Sequence, residues 1–141
     1  MFRSDASIEH DESGNVIGLN LGTGPVTDQD LHDLARCVDL LYLNLSFTAI
    51  DDRDLEPLRG LSKLELLNLR NTRVTDLGLA NLTEFPHLEF LNLIATQITD
   101  VGLIRLESIA SLKELYVNET GISFDGLKRI RTALPTCEIY G

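Results

Sequence analysis

The chain has 141 residues, 43% hydrophobic residues and a formal net charge of −10, so we expect one domain with a continuous core. The acidic balance argues against a duplex nucleic-acid backbone or an anionic membrane as the main partner, because both attract a basic field. No run approaches the roughly 18 apolar residues of a membrane span, and residues 1–15 lack the apolar core of a secretory signal, so we expect a cytoplasmic protein.

Residues 1–15 lie outside the repeat described next, and we expect them to form a capping hairpin. Residues 7–11 read as a strand, residues 12–15 as a polar turn, and Val16 opens a second strand. An end cap is needed because the first repeat would otherwise expose an apolar flank and an unpaired strand edge.

From residue 16 to residue 141 the sequence repeats every 24 residues without gap or insertion. The units start at Val16, Leu40, Leu64, Leu88 and Leu112, and a partial strand unit starts at Thr136. When each start is numbered place 1, the five full units carry aliphatic residues at places 4, 6, 11, 16 and 19. A period of this length with fixed apolar places predicts a solenoid, in which each unit buries its apolar face against its neighbours.

The spacing of the apolar places changes within each unit. It is two between places 4 and 6, which predicts a strand, and three between places 16, 19 and 22, which predicts a helix. Place 12 is expected to cap each helix with a side-chain oxygen, and it holds Thr27, Asp51, Thr75, Thr99 and Ser123. Place 13 is Asp28, Asp52, Asp76 or Asp100 in four units, and this charge favours the positive end of a helix dipole.

The pattern L-x-x-L-x-L-x-x-T-x-I/V-T-D-x-G-L-x-x-L, as in residues 64–82 and 88–106, resembles the leucine-rich repeat. Within that family the segment I-T-D-x-G-L resembles the cysteine-containing subclass of F-box substrate adaptors and related ribonuclease-inhibitor-like proteins. Place 9 is Thr here rather than Asn or Cys, and we expect no F-box domain before residue 16. The resemblance implies a right-handed α/β horseshoe of about five repeats, with a parallel sheet on the concave side, helices on the convex side, and a binding role.

In this architecture places 3, 5 and 7 alternate with the buried leucines and face solvent on the concave side. Place 3 presents Tyr42, Leu66 and Phe90 on three adjacent strands, with Ile94 beside them at place 7 and Arg70 one strand away. An exposed apolar row with a polar rim commonly marks a partner site. The alternatives are that the row stiffens the sheet or packs on a second copy of the chain.

Place 5 carries a ladder of asparagines that ends in two tyrosines: Asn20, Asn44, Asn68, Asn92, Tyr116 and Tyr140. The amides can hydrogen-bond a ligand or satisfy one another along the sheet, and we expect the structural role for the ladder. The tyrosines would extend the aromatic surface. We expect the Thr at place 9 to tie backbone groups of neighbouring turns.

Residues with catalytic or metal-binding chemistry do not converge in the predicted solenoid. The three histidines, His10, His32 and His87, fall on different sides of it, and Cys37 occupies the core place 22. Cys137 lies far from Cys37, and neither has the spacing of a zinc site. We therefore expect no enzymatic activity, no cofactor and no metal.

We predict a protein–protein interaction module that binds a macromolecular partner through the concave face. The expected contact residues are the anchors and their polar and aromatic neighbours, namely Tyr42, Leu66, Phe90, Ile94, Arg70, Asn68, Asn92 and Tyr116. The alternatives are a self-assembling scaffold or the repeat fragment of a larger adaptor or effector protein. Residues 1–60 hold 12 acids against 4 bases, and residues 61–141 hold 10 against 8, so an acidic amino-terminal half opposite a basic last helix would permit weak self-association.

Overall fold

The computed structural model describes residues 2–141. Its seven strands form one sheet, in which they stand in chain order. The strands are β1 (Ser7–His10), β2 (Val16–Asn20), β3 (Tyr42–Asn44), β4 (Leu66–Asn68), β5 (Phe90–Asn92), β6 (Glu114–Tyr116) and β7 (Glu138–Tyr140). Five helices follow strands β2 to β6 in turn: α1 (Asp28–Leu34), a 3₁₀ helix (Arg53–Gly60), α2 (Leu79–Leu82), α3 (Leu103–Glu107) and α4 (Phe124–Ala133).

The register of the sheet follows from the length of the repeat. Strand β1 pairs antiparallel with β2 and places Glu9 opposite Gly18. Each later strand pairs in parallel with the strand one repeat away, so that Tyr42 lies beside Leu66 and Leu66 beside Phe90. Because the repeat contains no insertion, residues at the same place stand in one row across the sheet.

The core lies between the sheet and the helices and consists mainly of the aliphatic places of the repeat. Places 4 and 6 are fully or almost fully buried in every full unit, as in Leu43, Leu45, Leu67 and Leu69. Phe85 is the largest fully enclosed side chain. One continuous apolar cluster therefore runs along the solenoid, and each unit contributes its share through contact with its neighbours.

Each unit leaves its strand through a residue in the left-handed backbone region. Place 8 holds Thr23, Phe47, Asn71, Ala95 and Glu119, with φ between 53° and 66°. In the second to fifth units the threonine that follows fixes this turn: the hydroxyl of Thr72, for example, donates to the carbonyl of Leu69 at 2.7 Å. The expectation that place 9 ties neighbouring turns together was wrong, because the hydroxyl bonds a carbonyl of its own repeat, three residues back.

The helices differ more between units than the repeat predicts. The second unit forms a 3₁₀ helix that contains Pro57, a residue without an N–H to donate. Place 12 is the N-cap only in the first and last full units, where Thr27 and Ser123 accept from an amide three residues on. In the other full units place 12 opens a turn ahead of the helix, as where the Leu77 amide donates to the Thr75 hydroxyl at 3.3 Å.

Three of the four aspartates at place 13 join successive repeats. Asp76 accepts from the backbone amide of Thr99 at 2.8 Å and from its hydroxyl at 2.6 Å. Asp52 bonds Thr75 and Asp100 bonds Ser123 in the same way. These three side chains bond the next repeat, which offers each carboxylate two donors, and the helix-start role that the sequence suggested is seen at Asp28, in the first turn of α1.

A buried glycine makes room for each of these carboxylates. A Cβ at Gly102 would collide with Asp76, and Gly78 and Gly126 stand in the same relation to Asp52 and Asp100. The T-D-x-G segment therefore encodes an inter-repeat staple: a hydroxyl donor, a carboxylate for the following unit, and a glycine that clears space for the carboxylate of the preceding one. None of the helices described has the length and apolar character required to cross a bilayer.

Candidate functional site: the concave sheet face

The residues predicted as anchors lie side by side on the solvent-facing side of the parallel sheet. Tyr42, Leu66 and Phe90 stand in direct register on β3, β4 and β5. Tyr42 is 42% exposed, whereas Leu66 and Phe90 are only partly exposed. Ile94 at place 7 is also partly exposed. We call Tyr42, Leu66 and Phe90 the apolar row.

A stack of aromatic rings extends the apolar row toward the carboxyl-terminal edge. The rings of Phe90 and Tyr116 are 5.3 Å apart and tilted, and those of Tyr116 and Tyr140 are stacked at 4.5 Å. This geometry is favourable because offset aromatic pairs gain about 0.5–1.5 kcal/mol beyond their buried area. The stack holds the three rings in fixed positions on adjacent strands.

Two carboxylates on the same strands hold the tyrosine hydroxyls in place. Tyr116 donates to Glu114 at 3.0 Å, and Tyr140 donates to Glu138 at 2.6 Å. These bonds raise the pKa of Tyr116 and raise that of Tyr140 to about 12, because ionisation would place a second negative charge against the carboxylate. Glu114 and Glu138 occupy place 3, so the apolar row continues into two acids.

Arg70 follows strand β4 at place 7, and its guanidinium has a partner that the sequence did not indicate. Its guanidinium stands 5.4 Å from the ring centre of Phe47. Phe47 is 48% exposed and sits in the left-handed turn at place 8. A cation over an aromatic face contributes about 0.5–1 kcal/mol at an exposed site. Place 8 was not considered as a contact position because the repeat period does not show where its side chain points.

The asparagines of the ladder accept hydrogen bonds in the turns that end the strands. The side-chain oxygen of Asn68 accepts from the amide of Arg70, and that of Asn92 accepts from the amide of Ile94, both at 3.0 Å. Asn20 and Asn44 make the same bond. The ladder thus serves the fold through each residue's own turn and not by stacking of amide on amide. The two N–H donors of each side chain take no part in this turn.

A cavity of about 150 Å³ lies at the amino-terminal end of the apolar row. Its lining includes Glu9, Gly18, Tyr42 and Leu66. A Cβ on Gly18 would lie 2.9 Å from a Glu9 carboxylate oxygen, so the glycine lets this side chain lie over the sheet. The sequence contained a signal for the cavity, because Gly18 interrupts a place that is otherwise filled by large side chains.

The side chains with catalytic chemistry remain apart. His10, His32 and His87 are all exposed, and they lie on β1, on α1 and before β5. Cys37 and Cys137 are partly buried, and this burial raises the pKa of both thiols, which lowers the fraction of reactive thiolate. Within residues 2–141 no three His, Cys, Asp or Glu side chains are grouped to hold a metal ion.

A second apolar surface, which the sequence analysis missed, lies on the helical side. Leu77 and Val101 are each 74% exposed, and Phe124 is 80% exposed. Leu77 and Val101 occupy place 14 and Phe124 occupies place 13 of three successive repeats, just after place 12. We call these three residues the flank row. Its members are more exposed than those of the apolar row, so any test of the concave face needs the flank row as a control.

Together the in-register strands, the helices behind them and the aliphatic core define a solenoid of leucine-rich repeats. A family model of the leucine-rich repeat matches residues 36–58. A leucine-rich-repeat protein of Leptospira interrogans is similar at 28% identity and a TM-score of 0.60, over 73% of this chain. The protein therefore has the fold of leucine-rich-repeat proteins. No curated protein matches the sequence.

Two further solved structures are similar in fold. An internalin of Listeria monocytogenes is 18% identical with a TM-score of 0.64, and the match covers 88% of this chain and 40% of the internalin chain. The actin-binding site 2 of leiomodin-1 is 16% identical with a TM-score of 0.59, and the match covers 84% of this chain and 76% of that one. The chain spans about a quarter of the Leptospira protein, 26%.

Proposed function

We propose that the protein is an interaction module that binds a protein partner across its concave sheet face. The observation that carries the proposal is the uninterrupted band of apolar and aromatic side chains that runs from Tyr42 through Leu66 and Phe90 to Tyr116 and Tyr140. Large side chains on adjacent strands form a contiguous patch, and such patches commonly mark interaction sites.

The proposed anchors combine apolar area with fixed geometry. The registered strands hold Tyr42 and Phe90, and the ring of Tyr116 further restricts that of Phe90. Rigid aromatic anchors cost little conformational entropy when they are buried, and Tyr is among the residues enriched at binding hot spots. Ile94 and the N–H groups of Asn68 and Asn92 supply apolar and polar contacts at the rim.

The proposal includes no enzymatic activity and no cofactor. It also includes neither nucleic acid nor a membrane as the ligand, because the net charge of −10 opposes both. Among proteins of similar fold, leiomodin-1 uses the matched region as an actin-binding site. That likeness supports a protein ligand at the level of the fold alone.

The experiment is affinity capture from a lysate of the source cell with three forms of the protein. The first is the wild type, the second carries Tyr42→Ser and Phe90→Asp, and the third carries Val101→Ser and Phe124→Ser in the flank row. We expect the wild type and the flank variant to retain the same partner, and the concave variant to lose it. Equal thermal unfolding of the three forms shows that the loss is not a folding defect.

Other results would contradict the proposal. Retention by the concave variant with loss by the flank variant would move the site to the helical side. If all three forms retain the same proteins, or none retains any, the concave assignment loses its support and the scaffold or fragment interpretation takes its place. Sedimentation of each form tests the scaffold directly, since a second copy on the concave face would dissociate on Phe90→Asp.

A further inference from the structure

We propose that the segment bound on the concave face is an extended, basic stretch of polypeptide, with one Lys or Arg at each end of an apolar or aromatic centre. This inference rests on the proposed function and adds the chemistry of the partner. The basis is that the apolar row ends in carboxylates at both sides: Glu9 at the amino-terminal end, and Glu114 and Glu138 at the carboxyl-terminal end.

At the amino-terminal end the receptor for a cationic side chain is the cavity beside Gly18. Glu9 and Tyr42 both line it. A Lys or Arg stem can pack along Tyr42 and Leu66 while its head group reaches the Glu9 carboxylate, because long cationic side chains bury their methylenes on apolar surface and keep the charge at the edge. The tyrosine ring face adds a cation–π contact.

At the carboxyl-terminal end the carboxylates are positioned before a ligand arrives. Tyr116 holds Glu114, and Tyr140 holds Glu138, each through a hydroxyl hydrogen bond. An ionised carboxylate has about four acceptor sites, so one bond from a tyrosine leaves capacity for a guanidinium or ammonium group. Because the carboxylates are already oriented, binding a cation costs less side-chain entropy than it would at free glutamates.

The charge balance of the face selects a basic partner. Places 3, 5 and 7 of the repeats hold one cation, Arg70, whose guanidinium lies over Phe47 at the loop end of the strands. Three carboxylates, those of Glu9, Glu114 and Glu138, outnumber it. A net negative face on a protein of net charge −10 attracts basic segments and disfavours acidic ones. A second copy docked symmetrically would set carboxylates against carboxylates, which is unfavourable in a two-fold interface.

The positions of the two ends fix the length of the segment. Gly18 and Glu114 are separated by four strand-to-strand steps, or roughly 19 Å at 4.7–4.9 Å per step. An extended chain advances about 3.3 Å per residue, so the two cationic residues should be about six positions apart. The two side chains between them that point to the sheet would contact Leu66 and Phe90.

The test is a peptide-display selection of random segments of about 12 residues on the folded wild-type protein. The selected consensus peptide is then synthesised with a fluorophore, and its dissociation constant is measured by anisotropy at about 25 mM and about 250 mM NaCl. We expect the consensus to carry two Lys or Arg residues about six positions apart around an apolar centre, and its binding to weaken as salt rises.

Two isosteric variants and one matched control test the carboxylates. Glu9→Gln and the pair Glu114→Gln/Glu138→Gln should each weaken the peptide by about fivefold or more, since each removes a charge-assisted contact. The control pair Glu56→Gln/Glu84→Gln removes two charges from exposed residues on the helical side of the repeats and should change binding less than about twofold.

The outcomes separate this inference from the proposed function. If the selected peptides show no basic preference, or bind the Gln variants as tightly as the wild type, while Tyr42→Ser/Phe90→Asp abolishes binding, then the concave site stands and the basic segment is wrong. If the Tyr42→Ser/Phe90→Asp variant binds them unchanged, both fail. Self-association that is lost on Phe90→Asp would place a second copy on the face and would also overturn the inference.

Discussion

The staple between Asp76 and Thr99 gives a sharp test of how the repeats hold together. We expect Asp76→Ala to lower the free energy of unfolding by about 1–3 kcal/mol, because it removes two hydrogen bonds to a partly buried carboxylate. In a chain of 141 residues this corresponds to a fall of roughly 3–12 °C in the unfolding temperature. Urea unfolding followed by circular dichroism measures the change.

A double-mutant cycle with Thr99→Val identifies the cause. If Asp76 acts through the Thr99 hydroxyl, the two substitutions together should cost about 0.5–2 kcal/mol less than the sum of the single changes. If Asp76 acts on the dipole of its own helix, as the sequence alone suggested, the two effects should add. Strict additivity, or a loss for Asp76→Ala no larger than that for the exposed control Asp125→Ala, would refute the staple.

Three further expectations follow from individual contacts. The bonds from the Ser123 side chain and amide lower the pKa of Asp100 in the folded state. The ionised Asp100 therefore stabilises the fold above the usual pKa of 3.8, and this stabilisation is lost as pH falls through the lower folded value. Ser123→Ala should reduce the acid sensitivity of unfolding measured between about pH 5 and about pH 2.5. The hydroxyl of Tyr140 has its pKa raised to about 12, and Glu138→Gln should move its ionisation, measured by ultraviolet absorbance, to lower pH. Ala95 has φ 55°, so Ala95→Gly should raise stability by about 0.5–1 kcal/mol in urea unfolding, because the relief of left-handed strain exceeds the entropy cost, and a loss would contradict the strain.

The sheet was predictable because one number, the repeat length, determines both the existence of the strands and their register. Once Leu43, Leu67 and Leu91 are assigned to the same buried place, their neighbours at place 3 must stand in a row. A parallel ladder without insertions has only one consistent alignment, so the repeat length alone determines this row. The same regularity explains why the residues predicted as anchors stand in one row.

The helical side was less predictable because its short elements do not depend on one periodic signal. A cap residue such as Thr75 has a competing partner, the Asp52 carboxylate of the preceding repeat. Local capping rules consider only one helix, and therefore they miss a bond that spans 23 residues. Pro57 was visible in the sequence, but whether the residues around it form an α or a 3₁₀ helix depends on packing against α1 and α2.

The environment of the candidate site depended on contacts outside the repeat. Glu9 belongs to the antiparallel strand β1, whose pairing with β2 includes a register shift after Glu9. The 24-residue period carries no information about that strand, so the sequence did not show a carboxylate over Gly18. Likewise the period aligned Phe47 with the other residues at place 8 but did not predict the contact between its ring and the guanidinium of Arg70.

In a solenoid the places that repeat build the scaffold, so the surface places that change carry the information about the ligand. Place 4 remains aliphatic in every unit because each unit must bury the same face. Place 3 on the same strands changes from glycine to tyrosine, leucine, phenylalanine and then twice to glutamate, although the strands keep the same parallel register. The scaffold imposes no such gradient, and a long ligand laid across the strands would meet each of these side chains in turn. The order of the side chains at place 3, from one strand to the next, is therefore the feature from which the partner should be inferred.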